Sequence, residues 1–142
     1  MSTSLNSRPI WQRGIAAAVL SGLASVVILL VANAMISGSV QVPESMSSKA
    51  LVDLTAGQVF GASVIGLVFA TVVALLLHRS NALSPRVPLI LGIGTILSLA
   101  SPFTISGATN GTRVALTLMH IACGAIAIAL LGRRSSSMVT KL

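Results

Sequence analysis

Four residues on one apolar stretch have the types and spacing to do chemistry. Arg113, Thr117, His120 and Gly124 recur at intervals of 4, 3 and 4, which places them along one face of a helix. A histidine within a membrane can relay a proton, hold a ligand carboxylate or bind a metal. It can equally be a neutral ring bonded to a backbone carbonyl or a neighbouring hydroxyl, and both readings are open. Asn33 and Gln58 are the other amides at the edges of apolar segments. With Arg113, Thr117 and His120 they outline a small polar pocket in the outer half of a membrane. The competing role for the same groups is interhelical hydrogen bonding, worth about 0.6 kcal/mol per bond. Asp53 either joins that group or pairs at the surface with Arg113 or Lys49.

Other chemistries find too few residues. His120 and Cys123 form an H-x-x-C pair, but a closed metal site takes four ligands or three plus water. No further His, Cys, Asp or Glu lies in the apolar segments, so neither a metal nor another cofactor is expected. There is no G-x-S-x-G, no H-E-x-x-H and no phosphate loop, and no catalytic residue is assigned. Small four-span cation/proton antiporters need a membrane-embedded carboxylate, for which proton and cation compete. No apolar segment here contains one. The expected role is therefore non-enzymatic.

The elements that would carry these residues are marked by charge. Eleven of 142 residues are Asp, Glu, Lys or Arg. None falls within 14–43, 54–78, 87–112 or 114–132, which together hold 100 residues. A soluble domain carries roughly a quarter charged residues, whereas here the share is 8% and the mean hydropathy is +0.98. Crossing a hydrocarbon layer of ~30 Å takes ~20 apolar residues. The reading is an all-α, four-helix transmembrane bundle in one membrane domain, residues 1–142. Its spans lie at 14–36, 56–77, 87–103 and 113–131, between polar tails at 1–13 and 132–142. Trp11 and Arg13 are expected to anchor the first tail at the interface. Ala32-Asn33-Ala34 fits a small-x-small cleavage pattern, but the apolar run before it exceeds the ~7–15 residues of a signal core, so the first span is expected to remain. Pro102 should end or kink the third span. Asn110-Gly111 reads as a turn, with Thr112 as the N-cap of the fourth span.

Orientation follows from the basic residues. Arg8, Arg13, Arg79, Arg86, Arg133, Arg134 and Lys141 share one side if both termini do, against Lys49 and Arg113 on the other. Seven against two predicts an N-in, C-in topology, and the expected location is a bacterial plasma membrane. The net charge of +7 is thus a topology signal. Nucleic-acid binding needs basic residues clustered with stacking aromatics, and the chain has no Tyr, one Trp and three Phe.

Helices in lipid associate through close packing and hydrogen bonds. Gly14, Ala18 and Gly22 form one four-residue line, and Gly57, Gly61 and Gly66 supply small positions on the second span. Gly124 does so on the fourth. These faces serve packing within one chain, or with copies or partners in a homo-oligomer or larger membrane complex. The partner implied throughout is the lipid bilayer.

The four-span pattern, with Thr112-Arg113-Val114-Ala115-Leu116-Thr117-Leu118-Met119-His120 opening the last span, resembles a family of small actinobacterial integral membrane proteins of unknown function. The resemblance covers roughly residues 15–132. It implies a four-helix membrane bundle and supplies no activity or site residue. Two functions are expected of such a chain. One is a structural or accessory membrane component. The other is a small transporter or ligand-binding membrane protein with its site around His120 and Arg113.

Overall fold

The computed structural model describes residues 9–36, 38–44 and 50–132. Arg8, Lys49, Arg133, Arg134 and Lys141 lie outside them, as does most of each expected tail. Helix α1 runs Ile10–Met35, α2 Ala56–His78, α3 Val87–Ser98 and α5 Asn110–Leu131. A single turn, α4 (Ser101–Thr104), continues the line of α3, and a 3-10 turn at Ser84–Arg86 precedes it. Taken as Ser84–Thr104, the third segment joins the other three as helices long and apolar enough to cross a membrane.

The expected boundaries shift at three places. First, α1 begins at Ile10, so Trp11 and Arg13 are helical rather than part of a tail. Trp11 is exposed while Arg13 is fully buried. Pro9 precedes the helix and cannot extend it upstream with an N–H bond. Second, α5 begins at Asn110. Thr109, not Thr112, is its N-cap, its hydroxyl accepting from the Thr112 N–H at 3.1 Å. Asn110-Gly111 is the first turn of that helix, and a Cβ on Gly111 would press on the Ile36 side chain at 2.8 Å. Third, the break in the third span lies at Leu99–Ala100. Pro102 is buried in α4 and lacks the N–H that would have bonded the Ser98 carbonyl.

The all-α expectation has one exception. Strands β1 (Gln41–Pro43) and β2 (Leu51–Asp53) form an antiparallel hairpin between α1 and α2, with Gln41 opposite Asp53. Asp53 accepts from the Ser39 hydroxyl and from Gln41 Nε2 at 3.0 Å. It therefore belongs to the hairpin and not to a pair with Arg113. The Ser39 bond first, then the Gln41 bond, holds its carboxyl below the ordinary value of 3.8. A lowered folded-state value means that this support is complete above 3.8 and is lost as pH falls through the lowered value.

The helices are arranged in the order α2, α1, α5, α3, with α1 packed along both α2 and α5. Ile10, Ala74, Val87 and Leu131 share a cluster, so the described ends of the chain lie at one end of the bundle. Leu29, Val40, Val59, Ala115 and Met119 fill the hairpin end. The buried stripe of α1 is Gly14, Ala17, Ala18, Ser21, Gly22, Ser25 and Leu29, mostly small. Its large residues Ile15, Val19, Leu23 and Val27 point outward and are 45–58% exposed. Small residues inside and large apolar residues outside is the arrangement that lipid, not water, favours.

Candidate functional site

The missing seam in this order is between α2 and α3, which hardly touch. A cleft of about 630 Å³ lies there, floored by α5. Its walls are apolar, from Leu67, Phe69, Val73 and Ile90 among others, and among the described residues no Asp, Glu, Lys or Arg lines it. Glycines keep it open. A Cβ on Gly66 or Gly94 would meet no atom within 4 Å among the described residues.

Of the five expected pocket residues, two line this cleft, Gln58 and His120. Gln58 is positioned by a capping box at the start of α2. Thr55 Oγ1 accepts from the Gln58 N–H at 3.3 Å, and Gln58 Oε1 accepts from the Thr55 N–H at 2.9 Å. The Thr55 hydroxyl also donates to Oε1. Both acceptor directions of that carbonyl are used, which leaves the amide NH2 of Gln58 as its free polar group. The T-x-x-Q spacing was the available signal for this box. His120 stands midway along α5, and its Nδ1 lies 2.7 Å from the Leu116 carbonyl one turn back. A carbonyl can only accept, so Nδ1 carries a proton. In the neutral ring Nε2 is then a bare acceptor.

The other three candidates lie elsewhere. Asn33 Oδ1 accepts from the Val40 N–H at 2.9 Å and fixes the chain as it enters the hairpin. Arg113 and Thr117 do not line the cleft, although Gly124 of the same α5 face does, against Thr95 of α3. The Arg113 Nε and Thr117 Oγ1 atoms are buried without a hydrogen-bond partner among the described residues. The single polar pocket drawn through all five residues is therefore not formed. Helical periodicity puts Arg113, Thr117, His120 and Gly124 on one broad face, and of these the cleft takes His120 and Gly124.

Below His120 the cleft floor holds a small polar cluster. The Ser63 hydroxyl donates to Ser25 Oγ at 3.1 Å. Ser25 Oγ lies 3.4 Å from Cys123 Sγ, which reaches back to Ser63 at 3.7 Å. Cys123 thus ties α5 to α1 and α2. Among the described residues no three His, Cys, Asp or Glu side chains gather where a metal could sit.

At the end where the described ends of the chain lie, His78 closes the bundle. Its Nε2 lies 3.0 Å from the Leu131 carbonyl and its Nδ1 2.9 Å from Ser84 Oγ. The tautomer with the proton on Nε2 satisfies both, donating to the carbonyl and accepting from the hydroxyl. Sequence spacing could not reveal this pin, because one partner is a main-chain carbonyl 53 residues away.

The small residues expected to pack divide in the same way. Gly14 lies under Thr71, Gly22 under Phe60 and Gly124 under Thr95, each too close for a Cβ, and Ala18 is buried beside them. Gly57, Gly61 and Gly66 face open space.

Comparison with curated proteins gives no match, and comparison with solved structures gives none. A family model does match, over residues 5–137, and by it the chain belongs to the Family of unknown function (DUF6069).

Proposed function

We propose that this chain is a non-enzymatic, ligand-binding protein of the bacterial plasma membrane, with both termini cytoplasmic. It takes an apolar guest from the surrounding bilayer into the cleft between α2 and α3. The observation that carries this reading is the cleft itself. A volume of about 630 Å³ is within the ~300–1,000 Å³ of small-molecule sites. Its apolar lining and its opening between two outward-facing helices suit entry from lipid. Orientation rests on the seven-to-two distribution of basic residues.

The test fills the cleft. In nanodiscs, tritiated 1-methoxyhexadecane binds the wild-type protein saturably. The double variant Gly66→Leu, Gly94→Leu loses that binding while its melting temperature is unchanged, because both side chains enter empty space. Saturable binding that survives in the double variant, or only linear partitioning with the wild type, rejects the cleft as a site.

A second reading, an accessory component that assembles through its helices, draws on Gly57 and Gly61. Both lie outside the cleft and pack against nothing among the described residues. The Leu substitutions leave that face intact, so assembly would persist where guest binding is lost.

A further inference from the structure

Resting on the cleft reading, we infer that the guest is an uncharged amphiphile carrying a hydroxyl, and that this hydroxyl donates to His120 Nε2. The inference comes from an inventory of donors and acceptors. His120 lines the cleft with Nδ1 bound to Leu116, and Nε2 has no partner among the described residues. A polar group without a partner is costly where water is absent, so the cleft calls for a donor.

The cleft supplies almost none of its own. The Thr95 hydroxyl donates to the Leu91 carbonyl at 2.9 Å, and Ser98 to the Thr95 carbonyl at 2.7 Å. Ser63 donates to Ser25, and Cys123 points its weak donor at Ser63. Among the described residues the amide of Gln58 is the one strong donor left over, at the first turn of α2. His120 is therefore an acceptor facing a space whose hydroxyl donors are all engaged.

Charge and length define the rest of the guest. Among the described residues no Lys or Arg lines the cleft to balance an anion, and no Asp or Glu to balance a cation. A charged headgroup would be expensive there. From Gln58 to Val73 the cleft follows α2 for about 22 Å, beyond the ~15 Å half-thickness of a hydrocarbon layer. A single lipid-length chain fits along it. A long-chain alcohol meets all three conditions: one donor, no charge and an extended apolar tail.

The probe pair is 1-hexadecanol and its methyl ether, which differ in the donor alone. Competition against tritiated 1-methoxyhexadecane in nanodiscs gives the affinity of each. The wild type prefers the alcohol by about tenfold, the value of one hydrogen bond to an otherwise unpaired acceptor. His120→Leu binds both probes equally, at the affinity of the ether. His120→Gln, whose carbonyl can accept, keeps part of the preference. Equal affinities in the wild type overturn the hydroxyl assignment and leave the cleft standing. A preference that persists in a folded His120→Leu or vanishes in a folded His120→Gln does the same. Absence of saturable binding by either probe overturns both.

Discussion

The seam between α1 and α2 and the gap between α2 and α3 use the same residue type and end differently. Gly14 and Gly22 lie directly under Thr71 and Phe60, so the missing side chains are what let two helices meet. Gly66 and Gly94 also lack side chains, yet no described atom fills the space they leave. A small residue permits approach without causing it. On the closed seam a partner side chain supplies the knob. At the gap, glycine on one helix is met by glycine on the other wall, and lipid exerts no hydrophobic pressure to shut it. The open volume left there is the cleft on which the proposed binding rests.

The strongest way to break this comparison is to add bulk on both sides of it. A Cβ at Gly22 would sit 2.5 Å from the Phe60 ring, and one at Gly124 2.2 Å from Thr95 Cγ2. Phe60 is half-buried against α1, and Thr95 is tethered by its bond to Leu91, so each must shift to admit a larger side chain. Gly22→Leu and Gly124→Leu are each expected to cost about 1–3 kcal/mol or more, as overpacking does, read as lowered melting temperature in detergent. Gly66→Leu is expected to cost nothing measurable. Equal losses at Gly22 and Gly66 would show that the gap is packed in the working protein.

A smaller effect is expected at His78, which explains how α2 can stand away from α3. Its two bonds fasten the end of α2 to the end of α5 and to the connector before α3. Removing both in His78→Phe is expected to cost about 1–3 kcal/mol, with His78→Gln partly restoring stability. If His78→Phe melts like the wild type, the gap is held open by something other than this pin.

The four helices were legible because lipid imposes a rule that a single sequence displays: long runs without charge, broken at the surface. The arrangement around the bundle was not. Gly22 and Gly66 look alike in the sequence, and only the partner across the seam distinguishes them. Asn33 and His120 both read as intramembrane polar groups, but Asn33 is used on the Val40 N–H, a bond set by where the chain enters the hairpin. His120 was found by its type, and the direction of its free nitrogen needed the Leu116 carbonyl. The role of His78 is not legible in the sequence, since nothing in its neighbourhood names Leu131. Thr55 and Thr109, by contrast, are local caps that T-x-x-Q and T-x-x-T patterns could have disclosed.

The smallest effect is expected where the two regions meet. Ser25 is fully buried on α1, and its hydroxyl joins Ser63 and Cys123, both of which line the cleft floor. Ser25→Ala removes two bonds, but Cys123 still reaches Ser63. At about 0.6 kcal/mol per membrane hydrogen bond, the loss is expected to be about 1 kcal/mol, and a methyl group leaves no clash. If the packed seam and the open cleft are separate in function, Ser25→Ala lowers the melting temperature slightly and leaves 1-methoxyhexadecane binding as it was. Loss of that binding at unchanged stability would instead make the cluster a coupling between them, because among the described residues the hydrogen bonds of Ser25 reach the cleft through the Ser63 hydroxyl and the Cys123 thiol.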